Sequence, residues 1–156
     1  MMTQINTYIT KTFPTIKNEE ELLGMCNEIN KYLHKDKAKH ISFRTLKYYK
    51  NIKLSGAKRY KSFVIKKKSG EDRKLSAPAP GLKLIQQCLN LIFQSHYTTN
   101  DSACGFVPNK NLTDGAKMHT NQAYVYNIDL KDFFDTITFP RVKKVLSLPP
   151  FNLKDE

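Results

Sequence analysis

The stretch Ala123-Tyr124-Val125-Tyr126-Asn127-Ile128-Asp129-Leu130-Lys131-Asp132-Phe133-Phe134-Asp135-Thr136-Ile137 opens with β-forming residues and then delivers Asp129, Asp132 and Asp135 around two aromatic rings. A carboxylate at the end of a strand suits a hard cation such as Mg2+. That ion takes oxygen ligands and usually completes its shell with substrate phosphates. The chemistry of such a site would be phosphoryl transfer, as at a polymerase-type metal centre. Aspartate is also a common strand-ending and turn residue, so Asp129 could simply cap a turn while Asp132 and Asp135 are solvated. The stretch by itself leaves both readings open.

A second constellation lies upstream. Tyr60, Phe63, Val64 and Ile65 favour a strand, Ser69-Gly70 is a turn signal, and Arg73-Lys74-Leu75-Ser76-Ala77-Pro78 can pair back as a hairpin. Its tip is loaded with Lys66, Lys67, Lys68 and Arg73. Like charges crowded on a tip repel one another, and a triphosphate or a nucleic acid backbone would relieve them. Lysines also protect exposed sheet edges, so an edge hairpin with a solubilised tip fits the same residues.

The elements that would position these groups follow from periodicity. Residues 1–17, with Pro14, read as a loosely ordered lead-in. Asn18 followed by Glu19, Glu20 and Glu21 is a helix start with acids in the first turn. Leu22, Leu23, Cys26, Ile29, Tyr32 and Leu33 then recur at helical spacing, and 35–40 is a solvated connector. Ser42 can cap a second helix from Phe43 to Lys50, which carries Arg44, Lys47 and Lys50 beside Tyr48 and Tyr49. Such interleaving suits nucleic acid backbone and bases, and equally a solvated helix face. After Pro78-Ala79-Pro80-Gly81, the residues Leu82, Ile85, Leu89, Ile92 and Phe93 mark an amphipathic helix, with Leu82, Ile85, Leu89 and Phe93 as core candidates. Gln86 and Gln87 lie on its polar face. A loop through Gly105-Phe106 and Pro108 leads to a short helix from Thr113-Asp114 to near His119. Pro140 opens a basic helix with Arg141, Lys143 and Lys144.

Composition narrows the class. The 156 residues suit one domain or part of a larger one, and the 26 Lys+Arg against 14 Asp+Glu leave a net charge of +12. So basic a chain favours a polyanionic partner. No apolar run approaches a membrane span and no signal peptide pattern is present, so a soluble cytoplasmic protein without a membrane partner is expected. Cys26, Cys88 and Cys104 are far apart and form no CxxC pair, which argues against structural zinc.

Taken in order, Phe63-Val64-Ile65-Lys66-Lys67-Lys68-Ser69-Gly70 with Arg73 and Ala77-Pro78, then Gln86, Gly105-Phe106 and Asp129 to Ile137 resemble the N-terminal half of a bacterial reverse transcriptase, of the retron type and its group II intron relatives. The resemblance covers about residues 58–147. It implies an α+β fold: an N-terminal helical extension (1–50), fingers with a β-hairpin and helices (51–122), and the first strand of an antiparallel palm sheet (123–156). It implies RNA-directed DNA synthesis by two-metal nucleotidyl transfer, with Mg2+ as cofactor, dNTP as substrate and an RNA template with its primer as partners. A structured non-coding RNA and a role in phage defence would accompany a retron-like identity.

Residue by residue, Asp129 matches the first catalytic aspartate and metal ligand, assisted by the backbone carbonyl of Leu130. The backbone of Asp132, Phe133 and Phe134 matches the place where the family holds the incoming triphosphate, with Phe134 the bulky residue that excludes a ribose 2′-hydroxyl. Lys66 and Arg73, seven apart, match the pair that clamps the triphosphate, with Lys67 a rival for the role of Lys66. Arg44, Lys47, Lys68, Gln86 and His119 are the candidate nucleic acid contacts. Two departures stand out. Gly115-Ala116-Lys117-Met118-His119 lacks the Asn of the retron pattern Asn-Ala-x-x-His, and no Tyr-x-Asp-Asp motif occurs. The 156-residue chain alone is therefore expected to be inactive, with an exposed sheet edge that favours self-association. A non-catalytic RNA- or DNA-binding module derived from the fingers is the alternative expectation.

Overall fold

The computed structural model describes residues 4–51 and 53–153 and divides into two units, 1–95 and 96–156. It is an α+β structure: seven α-helices and one two-stranded antiparallel sheet among the described residues.

The first unit is built on helices α1 (Gln4–Thr12), α2 (Glu19–His34), α3 (Phe43–Lys50) and α5 (Pro80–His96). Of the expected loose lead-in, residues 1–3 lie outside the described residues, and residues 4–15 are helical instead. Ile5, Ile9 and Phe13 recur every four residues, and α1 buries Ile9 completely with Ile5 and Phe13 packed beside it. The start of α2 is the expected one. Asn18 Oδ1 accepts from the Glu21 amide at 2.9 Å, and Glu21 reaches back to the Lys17 amide at 2.7 Å, which satisfies donors that the helix start leaves open. Ser42 caps α3 through the Thr45 amide at 3.2 Å.

The core gathers Ile9, Leu23, Met25, Cys26, Ile29, Ile41, Ile85, Cys88 and Ile92. Of the residues at helical spacing on α2, Leu23, Cys26 and Ile29 enter the core, whereas Tyr32 and Leu33 are exposed. Of the other core candidates on α5, Leu89 and Phe93 are half-buried against the core, and Leu82 is half-buried without joining it. A polar clasp holds the 35–41 connector. Asn27 accepts from the Ile41 amide at 2.8 Å and donates to the Ile41 carbonyl at 3.0 Å, and Asn30 donates to the Lys39 carbonyl at 2.6 Å. The connector is therefore tied to α2 rather than simply solvated. Cys88, fully buried, donates to the Cys26 carbonyl at 3.2 Å. The side-chain hydrogen bond with Cys88, and then burial, push the Cys26 thiol far above its ordinary range. Gly81 sits where α5 meets α3, since a Cβ there would come within 2.9 Å of the Tyr49 ring.

Between α3 and α5 a short helix, α4 (Gly56–Arg59), leads into the hairpin, β1 (Tyr60–Lys66) and β2 (Asp72–Pro78). The second unit holds α6 (Leu112–Lys117) and α7 (Phe139–Leu146), joined by a long irregular segment. The strand expected over 123–128 is not formed. Tyr124, Val125, Tyr126 and Ile128 have the composition of a strand, but a strand needs a neighbour to take its backbone hydrogen bonds. No described residue pairs with this stretch, and its side chains stand exposed, Tyr124 at 94% and Tyr126 at 88%. The expected first palm strand is therefore absent among the described residues.

Candidate functional site

The acidic stretch folds into a compact turn. Asp132 adopts a left-handed conformation (φ 52°, ψ 32°), which a short polar side chain tolerates. That residue reverses the chain into a 3-10 turn over Phe133–Thr136, closed by Thr136 Oγ1 donating to the Phe133 carbonyl at 2.7 Å. The two phenyl rings meet edge to face, 5.4 Å apart at 72°. Ile128, Asp129, Leu130, Asp132, Phe133 and Phe134 thereby line one open hollow of about 530 Å3. Five residues expected to act together, Asp129, Leu130, Asp132, Phe133 and Phe134, are thus brought around one space. The side chain of Asp135 lies outside what is described.

The donors here are hard oxygens, which suit Mg2+, but they are few. Among the described residues no three potential ligands converge. The chain's own contribution to a Mg2+ shell would be the Asp129 carboxylate and the Leu130 carbonyl, a fraction of the six positions that the ion demands. These residues do not make a complete metal site.

The hairpin register orders the basic tip. Ile65 faces Arg73, Lys66 faces Asp72 and Val64 faces Lys74. Opposed residues share a face and successive ones alternate. Arg73 therefore lies with Phe63, Ile65 and Leu75, while Lys66 lies on the other face with Asp72 and Lys74. The Lys67 amide donates to the Glu71 carbonyl at 2.8 Å, which extends the ladder one step and puts Lys67 on the Arg73 face. Its ammonium group rests on Glu71 at 2.8 Å, and Gly70 makes the turn with φ at 87°. Lys66 and Arg73, the pair that the resemblance suggests, thus lie on opposite faces, and it is the rival Lys67 that accompanies Arg73. Lys68 is exposed at the tip.

Gln86 is exposed on α5 and donates to the Tyr60 hydroxyl at 3.0 Å, which ties the helix to the root of the hairpin. Tyr60 also lines a second hollow with Gly56, Ser62 and Ser76; sequence reasoning missed this one, because only the pairing of Ser62 with Ser76 reveals it. In the second unit the Lys110 ammonium closes the Asp101–Lys110 loop on the Asp101 carbonyl at 2.7 Å. Asn111 and Asp114 then form a capping box at the start of α6. His119 follows in an exposed turn. Arg44 and Lys47 are exposed on α3.

Comparison with known proteins points one way. The retron Mx65 reverse transcriptase of Myxococcus xanthus is 38% identical over 87 residues, 56% of this chain and 20% of that protein. The retron Ec83 reverse transcriptase of Escherichia coli is 32% identical over 104 residues, 67% of this chain and 33% of that protein. The retron Mx162 reverse transcriptase of Myxococcus xanthus is 31% identical over 111 residues, 70% and 23% of the two chains. The chain thus spans between a fifth and a third of the length of these curated relatives. No family model matches, and no solved structure matches. Through the stretch they share, the chain is a relative of the retron-type bacterial reverse transcriptases.

Proposed function

We propose that this chain is the fingers and the beginning of the palm of an RNA-directed DNA polymerase. The observation that carries the reading is the single hollow lined by Asp129, Leu130, Asp132, Phe133 and Phe134, within a chain related to retron reverse transcriptases. In this reading the Asp129 carboxylate and the Leu130 carbonyl would help to hold Mg2+, with further ligands that the described residues do not supply. When bound, Mg2+ would supply charge neutralisation for phosphoryl transfer.

The chain's own residues do the rest of the work. The left-handed turn at Asp132 lays backbone beside the nucleotide. Phe134, held edge-on by Phe133, blocks the space that a ribose 2′-hydroxyl would need. Lys67 and Arg73, on one face of the hairpin, neutralise the triphosphate. Lys68, Gln86 and His119 are the proposed contacts to an RNA template and its primer, and the net charge of +12 suits that polyanion.

The gate can be tested in a graft in which this sequence replaces the matching segment of the Escherichia coli relative. Replacing Phe134 by Ala should raise ribonucleotide incorporation relative to deoxynucleotide by about tenfold, or ~1.4 kcal/mol of discrimination. Unchanged selectivity would remove Phe134 from that role.

A further inference from the structure

Helix α3 carries Arg44 and Lys47, which the sequence offers as nucleic acid contacts and which do not line the hollow around Asp129. Arg44, Lys47 and Tyr48 fall at i, i+3 and i+4, so they share one side of the helix. All three are exposed, Tyr48 at 44%. The rest of the helix packs against the core through Phe43, which flanks Lys47, and through Leu46 and Tyr49. The exposed side is also held in place. Tyr49 is wedged against Gly81 of α5, and Tyr48 rests edge-on against Tyr49, 5.0 Å between centroids at 81°. Lys47 is drawn over the Phe43 ring, 4.6 Å from its centroid. The third cation of the helix is engaged elsewhere, since Lys50 pairs with Glu19. Arg44 has no ion-pair partner among the described residues, and α3 contains no acid.

We propose that this face is a binding site for single-stranded nucleic acid, with Tyr48 as the platform on which one base stacks and Arg44 and Lys47 on the flanking phosphates. The assignment follows from charge and from ring placement. Two uncompensated cations beside an oriented aromatic ring match the alternation of phosphate and base along a single strand. A membrane surface is the poorer occupant, because Phe43, Leu46 and Tyr49 pack against the core and Tyr48 alone is left to enter a lipid interface. The site lies outside the hollow around Asp129 and does not depend on the role given to that residue.

The test uses the full chain and a fluorescein-labelled single-stranded RNA about 12 nucleotides long, which fits the usual footprint of such sites. Binding is read by fluorescence anisotropy over a range of salt, with circular dichroism checking the fold of each variant. Tyr48→Ala should weaken binding by about fivefold or more, the lower end for losing one stacked base, while Tyr48→Phe keeps it. Arg44→Ala with Lys47→Ala should reduce the slope of log affinity against log salt by about 0.7 for each phosphate no longer neutralised. Lys11→Ala with Lys17→Ala removes the same charge from elsewhere in the unit and should change little. The proposal is overturned if folded Tyr48→Ala binds as the parent does, or if the Lys11 and Lys17 pair matters as much as the Arg44 and Lys47 pair. It is also overturned if the α3 variants lose affinity only for phosphatidylserine vesicles.

Discussion

Lys67 and Arg73 share one face of the hairpin because Ile65 stands opposite Arg73 and the Lys67 amide pairs with the Glu71 carbonyl. Two cations on one face can reach one triphosphate, whereas Lys66 points to the other side. In the grafted polymerase, Lys67→Ala should therefore raise the KM for dNTP by about tenfold, equivalent to ~1.4 kcal/mol, while Lys66→Ala shifts it by less than about twofold. Steady-state primer extension checks this, and the reverse order would return the role to Lys66. The run of lysines at the tip is plain in the sequence. Which of them accompanies Arg73 is not, since register is a property of two strands together. The aspartates follow the same pattern. Their spacing announces a cluster, but only the left-handed turn at Asp132 explains why Asp129 and Phe134 come to line one space.

At the scale of elements, what local chemistry decides could be read in advance. Asn18 and Ser42 cap α2 and α3 as expected, and the Ser69-Gly70 signal makes the hairpin turn, because each of these depends on a few adjacent residues. What depends on partners could not be read. Helix α1 owes its place to Ile9 reaching the core of its unit, against a composition rich in threonine that promised little. The stretch 123–128 shows the converse, since good strand composition yields no strand without a neighbour. The clasp at Asn27 was equally hidden, because a buried asparagine looks like any polar residue until its partner 14 positions away is known. Asn27→Leu should strand both the amide and the carbonyl of Ile41, at about 1–3 kcal/mol for each group left unsatisfied. Urea unfolding would measure it, and a loss below about 0.5 kcal/mol would show that the clasp contributes nothing of weight.

At the scale of the whole molecule, the exposed apolar side chains of the second unit matter most. Tyr124, Tyr126, Ile128 and Phe134 are each at least 70% exposed within one short stretch. Contiguous apolar surface of this kind favours association. The 156-residue chain should self-associate as its concentration rises, and Tyr126→Lys with Ile128→Lys should return it toward the monomer. Sedimentation equilibrium distinguishes the two, and a monomeric parent at high concentration would contradict the expectation.

The central claim is that Asp129 is the reacting centre's carboxylate in a nucleotidyl transferase. Its most direct test is primer extension on an RNA template with Mg2+ and dNTPs, using the graft of this sequence into the Escherichia coli relative. The graft should synthesise DNA, and Asp129→Ala should abolish synthesis while the protein still folds and binds RNA. A folded graft that makes no DNA, or an Asp129→Ala graft that extends primers as fast as its parent, would contradict the account.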